Sequence, residues 1–142
     1  MSSDSEPSEN LLIGRQMVKE FVGESDLQKI NADVRHEQRD DIFTQTSAEF
    51  IAEVCFSAYA RPGLEFRERA LMNIAMLIAL NRKPELKIHI RAAYRNGLTE
   101  EQICEACRHA MIYCGVPAGR DALFVASDVF ADLKQSGEYK GQ

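Results

Sequence analysis

The amino-acid sequence predicts an all-α fold, a compact bundle of about six helices. Apolar residues recur at three- and four-residue spacing along most of the chain, the signature of helices with one buried stripe. Proline and glycine stand where such stripes begin and end. No segment shows the period-two alternation of a half-buried strand. A length of 142 residues fits one domain, large enough to bury most of its surface without a disulfide or metal staple.

Each element follows from local pattern. Residues 1–10 are acidic and serine-rich, and are expected to form a disordered tail. The domain is expected over 11–133. Leu12, Met17, Phe21 and Val22 predict a short helix over about 11–22, closed by Gly23. Over 24–38, Leu27, Ile30 and Val34 have helical spacing within an otherwise polar stretch, and the segment is ambiguous. Ile42, Phe43, Phe50, Ile51, Val54, Cys55 and Ala58 predict a longer helix over about 40–60, which Arg61-Pro-Gly-Leu64 breaks. The run Leu71 to Leu80 is apolar nearly all round and predicts a central, buried helix over about 65–81. Pro84 suits the first turn of the next helix, which Asn96-Gly97 stops. Thr99-Glu-Glu-Gln102 is a capping-box pattern that opens a helix over about 100–114, ending at Gly115. Pro117 opens the last helix, to about 134, and residues 134–142 are expected to be a frayed C-terminal tail.

Composition narrows the function. Seventeen Lys and Arg against 22 Asp and Glu give a net charge of −5, which argues against a nucleic-acid partner. No run approaches the ~20 apolar residues of a membrane span, and Met1 to Asn10 lacks the basic start and apolar stretch of a signal peptide. A cytoplasmic protein without a membrane partner is the expectation. Cys55, Cys104, Cys107 and Cys114 do not suggest a disulfide framework at this length; free thiols in a reducing compartment fit better.

The chemistry-bearing candidates each have a plainer structural reading. Cys104-Glu-Ala-Cys107 has dithiol spacing but falls in mid-helix, with Cys107 on the core stripe, so packing is favoured over redox chemistry. No second ligand pair accompanies it at zinc spacing, and no metal is expected. His89 lies on the side of its helix that should face the bundle, with Glu85 one turn earlier. Pattern alone favours a hydrogen-bonded core histidine; the same pair is also a general acid/base candidate. Arg61, Arg67, Arg69, Arg82 and Arg91 cluster around the apolar helix and its flanking turns. Most suit a solvated surface, while Arg61 and Arg82, in turns at opposite ends of that helix, could hold an acidic small substrate. His109 shares a stripe with Glu105 and Tyr113, suited to a pocket wall or an oligomer interface. His36 sits in a polar segment and is expected to be exposed.

Taken together, Arg61-Pro-Gly-Leu64, Ala75-Met-Leu-Ile-Ala-Leu-Asn-Arg82, Glu85-Leu, His89-Ile-Arg-Ala-Ala93, Asn96-Gly-Leu-Thr99 and Ile112-Tyr-Cys-Gly-Val-Pro117 resemble the carboxymuconolactone decarboxylase family over about residues 58–132. The resemblance implies a fold shared with alkylhydroperoxidase D and assembly into homo-oligomers, hexamers or trimers of dimers. Peroxidase relatives carry E-x11-C-x2-C-x3-H. With its histidine on His89, Arg82 and Glu85 stand where the cysteines belong, and Ala70 where the glutamate belongs. With its dithiol on Cys104 and Cys107, Met111 replaces the histidine and Ala92 the glutamate. The decarboxylase branch fits better.

That branch implies a cofactor-free carboxy-lyase acting on an acidic lactone, of the type that converts 4-carboxymuconolactone to 3-oxoadipate enol-lactone. The substrate supplies its own electron sink, so no cofactor is expected. His89, tuned by Glu85, is the expected proton donor. Arg82 and Arg61 are expected to hold carboxylate and oxyanion, Arg91 more weakly, and His109 and Tyr113 to line the pocket. The sequence departs from those decarboxylases at Cys55-Phe-Ser-Ala-Tyr-Ala60, where they carry a Trp-rich stretch and this chain has no Trp. The difference points to an alternative, a related decarboxylase or isomerase acting on another lactone or acid. A thiol peroxidase and a non-enzymatic oligomeric protein are the remaining readings.

Overall fold

A computed structural model describes residues 6–33 and 39–141, and within them every regular element is helical. Cα packing divides the chain into two compact units, 1–65 and 66–142, where the sequence reads as one domain. Val34 and His36 lie outside the described residues.

The first unit opens with α1, Glu9–Val22, which begins inside the expected tail because Ser8 caps it: the Ser8 hydroxyl accepts from the Leu11 amide at 3.1 Å. Gly23, at φ 89°, closes it, and α2, Glu24–Asp33, follows. The expected helix over 40–60 is three pieces. The first is α3, Ile42–Phe50, capped by Asp41, whose carboxylate accepts from the amides of Phe43 and Thr44 at 3.0 Å each. A π-helical turn, Ile51–Phe56, and a 3-10 turn, Ser57–Ala60, complete it. Wider i→i+5 winding is the usual way a helix absorbs an inserted residue. The π turn packs so closely on α1 that a Cβ at Gly14 would overlap the Ala52 carbonyl. Phe21 meets Tyr59 edge-on at 4.9 Å between ring centroids, and Phe56 stacks on Tyr59 at 4.7 Å. Of these rings Phe21 is buried, with Leu11, Val22 and Ala52, and the other two are partly exposed.

The second unit holds α4, Phe66–Ala79; α5, Lys83–Arg95; α6, Glu100–Cys114; and α7, Val116–Ser136. Its helix ends repeat one device. After α4, the Arg82 amide donates to the Leu77 carbonyl and the Asn81 amide to that of Ile78, with Asn81 left-handed at φ 55°. After α5, Leu98 and Gly97 donate to Ala93 and Tyr94 in the same pattern, and after α7, Glu138 and Gly137 donate to Leu133 and Lys134. These are Schellman closures, and each consumes carbonyls that the helix end leaves open. The capping box that opens α6 is present in both halves, Thr99 to Gln102 at 3.1 and 3.0 Å. Ile74, Ile90, Ile103, Cys107 and Val129 are fully enclosed between these helices.

Two expectations need correction. The helix over 65–81 is not buried all round: Ala70, Ile74 and Ile78 face the core, while Leu71, Met72, Met76 and Leu80 stand exposed. A helix packed on one side buries one stripe and leaves the rest uncovered, whatever its composition. The chain after α7 is also held, not frayed. Glu138 pairs with Arg91 at 3.1 Å, Tyr139 stacks on Tyr94 at 5.7 Å, and the Lys140 amide donates to the Tyr94 hydroxyl at 2.7 Å.

Candidate active site

The α4–α5 elbow sets the site. Arg82 is both the last residue of the α4 closure and the residue that precedes α5. Its guanidinium therefore projects beside the first turn of α5 and binds the Glu85 carboxylate at 2.5 and 3.2 Å. One turn further along α5 comes His89, and across the elbow Asn73 of α4 reaches it, Nδ2 to Nδ1, at 3.3 Å. Arg82, Glu85, His89 and Asn73 thus form one polar string. It runs from a guanidinium 58% exposed to a half-buried imidazole.

The electrostatics follow the same gradient. The hydrogen bond from Arg82 holds Glu85 below the usual carboxylate range. Arg82 in turn is held more firmly protonated by Glu85. Burial pushes His89 below its ordinary value, and the Glu85 charge only partly opposes that. Near neutral pH the string presents a fixed cation at its open end and an uncharged imidazole at its inner end.

Not every expected site residue joins it. Arg91, two residues beyond His89, points to another side of α5 and is taken up by Glu138. His109 and Tyr113 sit together on exposed α6, ring centroids 5.6 Å apart, with Tyr113 82% exposed. Arg61 follows the 3-10 turn at the end of the first unit, exposed. Arg67, expected on the surface, donates to the Gly97 carbonyl at 2.8 Å and so ties α4 to the α5 closure. Asn73 was absent from the sequence candidates. Its signal was present: a single amide inside Leu71-Met-Asn-Ile-Ala-Met76 is a polar group in an apolar run, and such a group needs a partner when covered.

The cysteines do not make a reactive pair. Cys107 is enclosed, and burial pushes its thiol up to about 11, so it carries little thiolate at neutral pH. Cys104, one turn earlier on α6, is exposed. Among the described residues, no three or more His, Cys, Asp or Glu side chains converge as a metal site would require. The first unit has a cavity of about 620 Å³ lined by Arg15, Lys19, Arg39, Asp40, Glu49 and apolar neighbours. Its described lining has no histidine or thiol.

Residues 45–128 match the model of the carboxymuconolactone decarboxylase family, a span that includes the entire string. The chain is 39% identical to a 4-carboxymuconolactone decarboxylase of Acinetobacter baylyi over 92 residues, 64% of this chain and 69% of that one. It is 37% identical to a nitrosuccinic acid decarboxylase of Metarhizium robertsii over 99 residues, 69% of each chain.

Proposed function

The protein belongs to the carboxymuconolactone decarboxylase family, and on that premise we propose that it is a cofactor-free decarboxylase of a carboxylated butenolide, of the type that acts on 4-carboxymuconolactone. The observation that carries the reading is the string itself: an exposed, permanently charged Arg82 held by Glu85 near a half-buried, uncharged His89. Loss of carbon dioxide from such an acid leaves an electron pair that runs through the ring double bond to the lactone oxygen. The protein has to grip the acid and meet the developing negative oxygen. Arg82 grips the carboxylate that stays. Binding the departing carboxylate equally well would stabilise the ground state and slow the reaction. His89 meets the electrons with an N–H. Arg91, engaged by Glu138, supports the fold instead.

A second reading is favoured by a specific observation. The two decarboxylase relatives are nearly equally similar to this chain, yet one is named for a lactone acid and the other for nitrosuccinic acid. Both acids carry an electron-accepting group of their own, so one site chemistry serves either. The acid of this protein is then set by the side chains around the string.

The active form is a homo-oligomer, a trimer or hexamer, located in the cytoplasm. The exposed Leu71, Met72, Met76 and Leu80 of α4 give a second copy an apolar face to cover, and His109 and Tyr113 serve a neighbouring subunit's pocket. No helix of the described chain is long and apolar enough to cross a membrane. The test is carbon dioxide release from 4-carboxymuconolactone, and in parallel from nitrosuccinate, with chelator present. Release from the lactone acid above the spontaneous rate is the expected result. Release from nitrosuccinate alone establishes the second reading, and release from neither removes both.

A further inference from the structure

We infer that Asn73 is a positioning residue that holds His89 as the neutral tautomer with its proton on Nε2, so that His89 acts on substrate as an uncharged hydrogen-bond donor. The inference rests on the decarboxylase reading for its substrate, but not for its geometry. An amide nitrogen can only donate. With Asn73 Nδ2 placed 3.3 Å from His89 Nδ1, the contact favours that ring nitrogen as the acceptor and the exchangeable proton on the other one. Protonating Nδ1 would set two donors against each other, so the same contact works against the imidazolium.

The surroundings agree. Asn73 is the group that α4 brings to the ring, and it is uncharged. On α5 the charge bearing on His89 is Glu85, whose carboxylate is held by Arg82. On α7, Asp121 and Asp132 are paired with Lys83 and Lys87 at 2.9 and 3.7 Å, and on α6, Glu100 is paired with Lys134 at 3.0 Å. Burial then favours the neutral ring.

A neutral imidazole is a poor acid toward carbon but a good hydrogen-bond donor toward an oxyanion, a use of buried histidine known from other enzymes. The step balances without a proton leaving His89. The bond to the departing carboxylate breaks, carbon dioxide leaves, and the electron pair comes to rest on the lactone oxygen against the Nε2–H. Water then protonates the ring carbon and is left as hydroxide.

Long-range 1H–15N NMR on the full-length protein reads the tautomer directly. Only three histidines are present, so the His89 signals are identified by their loss in His89→Gln. We expect an unprotonated Nδ1 and a protonated Nε2 in the wild type at neutral pH. Asn73→Leu should return a tautomer mixture. Asn73→Asp, which offers Nδ1–H an acceptor, should trap the imidazolium. In the wild type, kcat should fall as the pH drops through the lowered pKa of His89 and stay level above it. Asn73→Asp should move that acid limb to higher pH and lower kcat at neutral pH by about tenfold, the rate equivalent of one hydrogen bond, with KM little changed. A wild-type proton on Nδ1, or an unaltered tautomer in folded Asn73→Leu, overturns the inference. The NMR result needs no substrate: the expected tautomer in a protein that decarboxylates neither acid upholds the role of Asn73 and rejects the proposed reaction instead.

Discussion

The two units spend similar apolar sequence differently. In the second, Ile74, Ile90, Ile103 and Val129 are fully enclosed, and three Schellman closures with one capping box fix where the helices stop. In the first, Ile42, Phe43, Phe50, Ile51 and Val54 stand exposed, and the core is small, Leu11, Phe21, Val22 and Ala52, with one very close backbone approach, Gly14 on Ala52. Every member of the polar string lies in the unit with fixed helix ends. Burying an imidazole between two helices demands a frame that does not yield, because its partner must remain within hydrogen-bonding distance.

The sharpest test of that contrast is chemical. His89→Ala should lower kcat by about 10²–10³-fold, the usual cost of removing one donor to a developing oxyanion, with far-UV circular dichroism unchanged. Equal turnover would move the chemistry out of the second unit. Next in size is Ile90→Ala, which empties a site with no exposure and should cost about 2–5 kcal/mol in denaturant unfolding. A cost below about 1 kcal/mol would mean the second core is looser than its burial indicates. Gly14→Ala forces a methyl against the Ala52 carbonyl and should cost about 1–3 kcal/mol, read in the same titration. A neutral outcome would leave the first unit without a fixed contact. Phe43→Ala should change monomer stability by no more than about 0.5 kcal/mol, since the ring is 82% exposed. A larger loss, or a shift in sedimentation, would show that another copy covers it.

How much of this was legible in the sequence differs along the chain. Helix ends carry local signals, and Asn96-Gly97 and Thr99 to Gln102 stop and start helices as their chemistry predicts. The placing of Glu85 one turn before His89 is likewise local, and so is the contact of Arg82 with Glu85, three residues on. Which face of an apolar helix is covered is not local. Leu71 and Met76 look like core in one dimension, and only the packing of α4 against its neighbours exposes them. Asn73 was overlooked for the same reason: its meaning depends on a histidine 16 positions away across an elbow. The engagement of Arg91 needed Glu138, 47 positions on, in a stretch whose polar composition suggested fraying.

That last stretch has an optical consequence. The chain has four tyrosines and no tryptophan, so no indole is present to drain tyrosine emission by energy transfer. Tyr94 and Tyr139 lie face to face, with the Lys134 ammonium 4.7 Å from the centre of the Tyr139 ring and Glu100 hydrogen-bonded to that tyrosine. Their emission reports the clasp itself. Releasing the last residues from α5 should alter the ultraviolet fluorescence without any added dye, giving the protein a native gauge of its own C-terminal docking.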